Sequence, residues 1–436
     1  MIHLKRLTPI LVTISLFLTM ALFIVSCAEK IEKDGNWYYD ESVKAYRAGD
    51  YKTFLDYTEK AVELLPGRIS AEYNLACAYS LNGEKDKAFV SIEKLIAKGF
   101  PLSVETDADF DNIRCDERYP ELVEKLNTAR QPVNRSTLAY VIPEIDLIPE
   151  GLAYDADEDC FYIGSLYKSK ILKITREGDI TEFVKERQDS IVSIVGMKVD
   201  EKGRFLWASS SYGYKKDNIP FEELGTCEMV KFDLETGELK DRYSLPKEEN
   251  HFFNDVALND NGDAFITDSH VPAVYSINHV KNEVKKFVDL DPGSYPNGIA
   301  ISDDDNNLFV AVRSGIAVVD VRDSSVTYLK HPENVHLGGC DGLYFHNQAL
   351  IGVQGFLNRI VRFHLNDELD EVVETEILEA YNPDFEDPTT GAIAGNEFYY
   401  IANAQLRKID QDGNLAPADQ LNPVKILKIN LQSEAE

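Results

Sequence analysis

The chain is poor in positive charge. It carries 45 Lys and Arg against 75 Asp and Glu, a formal net charge of −30 over 436 residues. That excludes nucleic acid as a partner, since a phosphate backbone is held by Lys and Arg. It also argues against electrostatic docking on anionic lipid, while leaving a surface that attracts cations. Cysteine is scarce. Apart from Cys27 there are Cys77, Cys115, Cys160, Cys227 and Cys340, scattered, odd in number and without a CxxC pair. This is neither a disulfide framework nor a zinc site, and most of the five read as small buried apolar residues. No GxSxG, HExxH or GxxxxGK[ST] occurs, so serine-hydrolase, zincin and P-loop chemistry have no support. What is abundant is apolar content, 44% against 28% charged. The chain can bury a core, and it is too long for one ordinary domain unless that domain is a large all-β or barrel-like fold.

Residues 1–26 read as a signal peptide. Lys5 and Arg6 precede the apolar run "ILVTISLFLTMALFIV", and "IVSC" follows with Cys27 at its end. The run is short for a spanning helix and no charge cluster stops it. The segment resembles the bacterial lipobox, in which Cys27 would be lipid-attached; a plain N-terminal membrane anchor is the alternative. The lipid reading implies a folded part tethered by residues 27–35 to a membrane in the cell envelope, facing the periplasm or the exterior.

Residues 36–130 have apolar positions at helical spacing. "DESVKAYRAGDYKTFLDYTEKAVELLPG" ends at Pro66-Gly67, and "SAEYNLACAYSLNGEKDKAFVSIEKLIAKGF" follows. Gly49 aligns with Gly83 at an offset of 34 residues, the tetratricopeptide period. Two repeats are few for a free-standing solenoid. A spacer or docking module is expected, with a groove for a protein partner as the other reading.

The polar stretch "ARQPVNRS", Ala129–Ser136, reads as a hinge. Over 137–436 the pattern changes to short β-rich runs between turns. One motif recurs there: "EGLAYD" at Glu150, "VGMKVD" at Val195, "NDVALN" at Asn254, "NGIAIS" at Asn297, "DGLYFH" at Asp341 and "TGAIAG" at Thr390. The copies lie 45, 59, 43, 44 and 49 residues apart, and each is followed by further apolar strands. A repeating unit of three or four strands at that period is a propeller blade. The expected fold is therefore an all-β six-bladed β-propeller behind a small all-α domain.

In a propeller the first strand of every blade lines the central channel, so the residue opening each motif converges on one axis. Four of the six carry hard oxygen atoms: Glu150, Asn254, Asn297 and Asp341. Calcium, or another divalent cation, takes such a mixture of carboxylates and amide carbonyls. Asn and Asp before Gly are also ordinary turn formers. That reading does not account for Glu150, nor for the shared register.

"PEG", "FFND", "PNG" and "CDG" at these four positions resemble the senescence marker protein/gluconolactonase family of regucalcin- and paraoxonase-like six-bladed calcium propellers, over about residues 140 to 431. The resemblance implies that Glu150, Asn254, Asn297 and Asp341 hold calcium, and that Asp341 is the catalytic carboxylate. It implies hydrolysis of a lactone or related ester. Asp255 is expected to brace the ligands. His270 resembles a histidine of the paraoxonase site, and His336 precedes Asp341 on a mouth loop; an ordinary structural histidine is the alternative at each, as at His251. Phe252 stands where sugar lactonases carry Arg, which shifts the expectation toward an apolar lactone or ester. The alternative function is a non-catalytic propeller in the cell envelope that calcium stabilises and that binds a ligand or protein.

Overall fold

The structure, a computed structural model, describes residues 33–213 and 221–432. The expected leader and Cys27 lie outside them. Among the described residues no helix is long and apolar enough to cross a membrane.

Among the described residues five α-helices come first: α1 (Gly35–Arg47), α2 (Tyr51–Leu64), α3 (Ile69–Leu81), α4 (Lys85–Ala97) and α5 (Tyr119–Ala129). Asp34 and Asp50 start α1 and α2 by accepting from the Trp37 and Thr53 amides at 2.7 and 3.1 Å. Each thereby satisfies an amide that the first turn leaves open. Phe54, Phe89, Ile92, Leu95 and Phe110 form the shared core.

From Thr137 onward the chain forms six four-stranded antiparallel sheets. The six-bladed propeller expected from the motif is therefore observed. The inner strands are Pro149–Asp155, Ile194–Asp200, Phe253–Leu258, Ile299–Ile301, Gly342–His346 and Gly391–Ala394. The middle strands, such as Cys160–Ser165 and Ala349–Gln354, are buried along their whole length, because neighbouring blades cover both faces. The outermost strand Glu283–Asp289 is largely open. Each interface between consecutive blades has its own apolar cluster, for example Phe309 with Leu343 and Phe363 between blades 4 and 5.

Blade 6 is completed by the strand Thr137–Ile142, which pairs from Thr137↔Lys428 to Ile142↔Val424. The start of the propeller is thus hydrogen-bonded to its end, which closes the ring of blades.

The helical unit sits on the mouth side of blades 4 and 5. Strands alternate in direction, so the loop before each inner strand and the turn after the second strand share that side. Phe100 meets Phe356 with ring centroids 5.4 Å apart, and Leu357 is buried within the helical core. The stretch Ala129–Ser136, read from its polarity as a hinge, is pinned. Val133 exchanges backbone hydrogen bonds with Ala380 at 2.9 and 3.0 Å. The Glu379 carboxylate accepts from the Arg135 amide, the Ser136 amide and the Ser136 hydroxyl at 2.7–2.9 Å. The polar residues there serve to dock the linker.

Inner strands of adjacent blades approach closely at the motif glycine. A Cβ on Gly298 would lie 2.6 Å from the Leu343 amide nitrogen and 2.8 Å from the Asp341 carbonyl oxygen. Gly298 does not have the positive φ of a hairpin turn; its glycine is needed for that approach. Gly298→Ala should therefore cost about 1–3 kcal/mol of stability by overpacking, measured as a lower urea midpoint at unchanged slope.

Candidate metal centre

The four oxygen-bearing residues open their motifs at equivalent places on the ring. Glu150 and Asn254 are the second residues of their inner strands, while Asp341 immediately precedes its strand and Asn297 stands two residues before its own. All four are half-buried, on the mouth side of the channel. The two other positions offer no ligand. Val195 is buried apolar surface, and the Thr390 hydroxyl donates to the Glu150 carbonyl.

The two amides are held from behind. Asn297 Nδ2 donates to Asp341 Oδ1 at 2.9 Å, and Asn254 Nδ2 donates to Ser269 Oγ at 3.0 Å. The donor side of each amide is thereby committed to protein, and its carbonyl oxygen is left for another partner. Two hydroxyls, Thr267 in the second strand of blade 3 and Ser269 just past its end, fix this arrangement. Ser269 Oγ donates to the Pro296 carbonyl at 2.6 Å. Thr267 Oγ1 donates to the Asn297 carbonyl at 2.7 Å and accepts from the Asp255 amide at 3.0 Å. Sequence reading missed both hydroxyls; their only signal is that they interrupt the apolar strand "AFITDS".

The carboxylates are electrostatically frustrated. Burial, then the charges of Asp341 and Asp255, push the Glu150 carboxyl up to about 8. Burial pushes Asp341 up to about 7, against the bond from Asn297. Among the described residues neither has an ion pair, and the Glu150 carboxylate has no hydrogen bond. Two desolvated, half-buried carboxylates without a counter-charge are costly unless protonated or bound to a cation. With two uncommitted amide oxygens in the same ring, the donor set suits a hard divalent cation.

Asp255 points elsewhere. Its carboxylate accepts from its own neighbour Val256 at 2.9 Å and from the Ile299 amide at 3.1 Å, which ties blade 3 to blade 4. Burial raises it to about 6, and Lys198 on the inner strand of blade 2 opposes that shift. Lys198 and Tyr344 reach the channel below the mouth, a cavity of about 320 Å³.

The histidines take different places. His251 is buried and bonds through Nδ1 to Asp268 Oδ2 at 2.5 Å and through Nε2 to Glu249 at 2.7 Å. Asp268 also accepts from the amides of Phe252, His270 and Val271 at 3.0–3.1 Å, so the pair braces this loop. His270 lies against Phe252 with ring centroids 5.3 Å apart, and burial lowers its pKa. His336 is 5% exposed. Burial, then the charges of Arg359 and Lys98, push it down to about 3. It lies toward the helical unit and stays neutral.

No family model and no curated protein matches the chain. Solved structures similar in shape include a gluconolactonase from Xanthomonas campestris, 14% identical, with 66% of this chain and 87% of that chain covered and a TM-score of 0.44. Virginiamycin B lyase from Staphylococcus aureus is 19% identical over 62% of this chain and 80% of its own, with a TM-score of 0.44. Luciferin-regenerating enzyme is 14% identical over 69% and 95%, also with a TM-score of 0.44.

The raised carboxyls have a defined consequence for the metal-free chain. A carboxyl whose folded pKa exceeds its unfolded value contributes stability that is full below the unfolded pKa and lost as pH rises through the folded one. Glu150 and Asp341 therefore predict that, in chelator, the melting temperature falls as pH rises from about 5 to 8. Excess calcium should remove most of that fall, and Glu150→Gln should flatten it without metal. Thermal curves at four pH values, with chelator and with calcium, make the measurement.

Proposed function

We propose that the chain is a calcium-dependent hydrolase acting on a lactone or related ester. The observation that carries this reading is the pair of unneutralised carboxylates, Glu150 and Asp341, in one ring with two amides whose donor sides are already committed. Glu150, Asn254, Asn297 and Asp341 would hold the ion. When bound, it supplies Lewis-acid polarisation of the substrate carbonyl and charge for the developing oxyanion.

The chain's own residues do the rest. Asp341 is the base: Asn297 fixes its Oδ1 at 2.9 Å, and its carboxylate takes the proton from an attacking water. Asn254 and Asn297 keep their carbonyl oxygens facing the mouth because Ser269 and Asp341 hold their nitrogens. Phe252, two residues before Asn254, is 5% exposed and lies against His270. An aromatic ring there in place of a cationic side chain favours a substrate whose non-reacting part is apolar over a polyhydroxylated one.

We read α1–α4 as two tetratricopeptide-like hairpins. Gly49 and Gly83 occupy matching turns at φ +73° and +75°, in support of the 34-residue offset in the sequence.

An assay against a panel of aliphatic lactones, sugar lactones and aryl esters, with calcium and with chelator, tests the function. Turnover should need calcium, favour the apolar members and fall by at least about 10²-fold in Asp341→Ala. Equal turnover by wild type and Asp341→Ala would remove the hydrolase reading.

A further inference from the structure

A second place in the molecule gathers unspent polar groups, and it is independent of the mouth ligands. A cleft of about 960 Å³ separates the helical unit from the mouth-side loops of blade 4. Leu64, Leu65 and Leu75 line it from the helices, and Ile316 and Leu329 from the blade. That volume and apolar lining are those of a small-molecule site.

Two buried polar side chains in the cleft lack partners that burial ordinarily demands, and a half-buried arginine stands beside them. Arg68 is 8% exposed, and its Nε has no hydrogen-bond partner. Its guanidinium is positioned by a bond from Nη1 to Asn36 Oδ1 at 2.8 Å and by the Tyr39 ring, 3.7 Å away. Ser294 is 8% exposed, and its Oγ is likewise without a partner. Arg313 lies 4.3 Å from the Tyr295 ring centroid and makes no ion pair among the described residues. The two arginines are close enough that the charge of Arg313 adds to burial in lowering the Arg68 pKa.

No nearby carboxylate forms an ion pair with either among the described residues, although the charge of exposed Asp40 favours the Arg68 cation. Glu72 pairs with Lys98 at 2.6 Å, Asp291 accepts from the Tyr328 hydroxyl at 2.5 Å, and Asp40 and Glu333 are exposed. Arg68 also occupies the N-cap of α3 and makes no side-chain cap bond. A cation there has the wrong sign for a helix N-terminus, whose open amides favour an anion. On a chain of net charge −30, a buried arginine at a helix start beside a half-buried second arginine, neither of them ion-paired among the described residues, calls for a counter-charge.

We propose that this cleft binds an oxyanion, a carboxylate or a phosphate monoester, carried on an apolar body that fills the leucine-lined part. The head group would take charge-assisted bonds from Arg68 Nε and Arg313 and a bond from Ser294 Oγ. Occupancy would join the helical unit to the loop that carries Asn297: the Arg313 amide donates to the Ser294 carbonyl at 2.7 Å, and the Asn297 amide to the Ala311 carbonyl at 2.9 Å.

Calorimetric titration of the full chain at low ionic strength with hexanoate, hexyl phosphate and hexanol tests this. Hexanoate or hexyl phosphate should bind saturably, one per chain, and lose affinity as salt is raised. The tighter of the two names the head group. Hexanol, with the same tail and no charge, should not bind detectably. Arg313→Gln, on a half-buried residue, should weaken the anion roughly tenfold or more, and Ser294→Ala by a smaller factor. A melting curve in chelator and in calcium, identical to wild type, shows that each variant is folded. Binding of hexanol as tight as that of the anions, affinity unchanged in both variants, or no saturable binding of either anion would each overturn the proposal.

Discussion

Six inner strands share one axis, and the mouth depends on how closely their starts approach. At Gly298 the backbone of blade 4 comes so near to blade 5 that a single methyl would strike the Leu343 amide nitrogen at 2.6 Å. That approach brings the residues opening adjacent motifs within hydrogen-bonding distance, as at Asn297 and Asp341. The six apolar interfaces hold the blades at that spacing. The strand Thr137–Ile142 then closes the ring by pairing with Val424–Asn430.

Close approach of like charges has an energetic cost, and the molecule meets this twice with opposite sign. At the mouth, burial raises the demand of Glu150 and Asp341 for a proton or a cation, and the charge of Asp341 adds to that of Glu150. In the cleft beside it, Arg68 and Arg313 stand together with no carboxylate ion-paired to either among the described residues. In both places the surrounding protein commits its other polar atoms in a way that preserves the imbalance. Asn254 and Asn297 turn their nitrogens away from the carboxylate ring, or into one member of it. Glu72, which could have answered the arginines, is paired with Lys98. A fold selected for stability alone would have no reason to keep either cluster unneutralised.

The propeller was legible because its repeat is local: each blade announces itself by one dipeptide at the start of an alternating strand. Glu150, Asn254, Asn297 and Asp341 were legible for the same reason, since register alone places them on one end of the ring. Other features leave no local trace. Thr137–Ile142 completes a blade whose other strands lie at the far end of the chain, so nothing near it marks the pairing. Polarity in Ala129–Ser136 suggested freedom, yet the Glu379 carboxylate fastens that stretch across a separation of more than 240 residues. His336 stands five residues before Asp341 in the chain, but the chain turns it toward the helical unit, where Lys98 and Arg359 are its charged neighbours. Arg68 and Arg313 belong to different units, and only the approach of the loop at Gly67 to the Ser314 turn of blade 4 puts them in one cleft.

The central claim is that one divalent cation replaces the protons of Glu150 and Asp341. Calcium titrated calorimetrically into chelator-stripped chain near pH 7, in two buffers of different ionisation enthalpy, measures this directly. The account predicts one ion per chain and a net release of protons on binding, with both lost when Glu150→Gln and Asp341→Asn are combined. Saturable binding without proton release, binding that survives the double substitution, or no binding at all would contradict it.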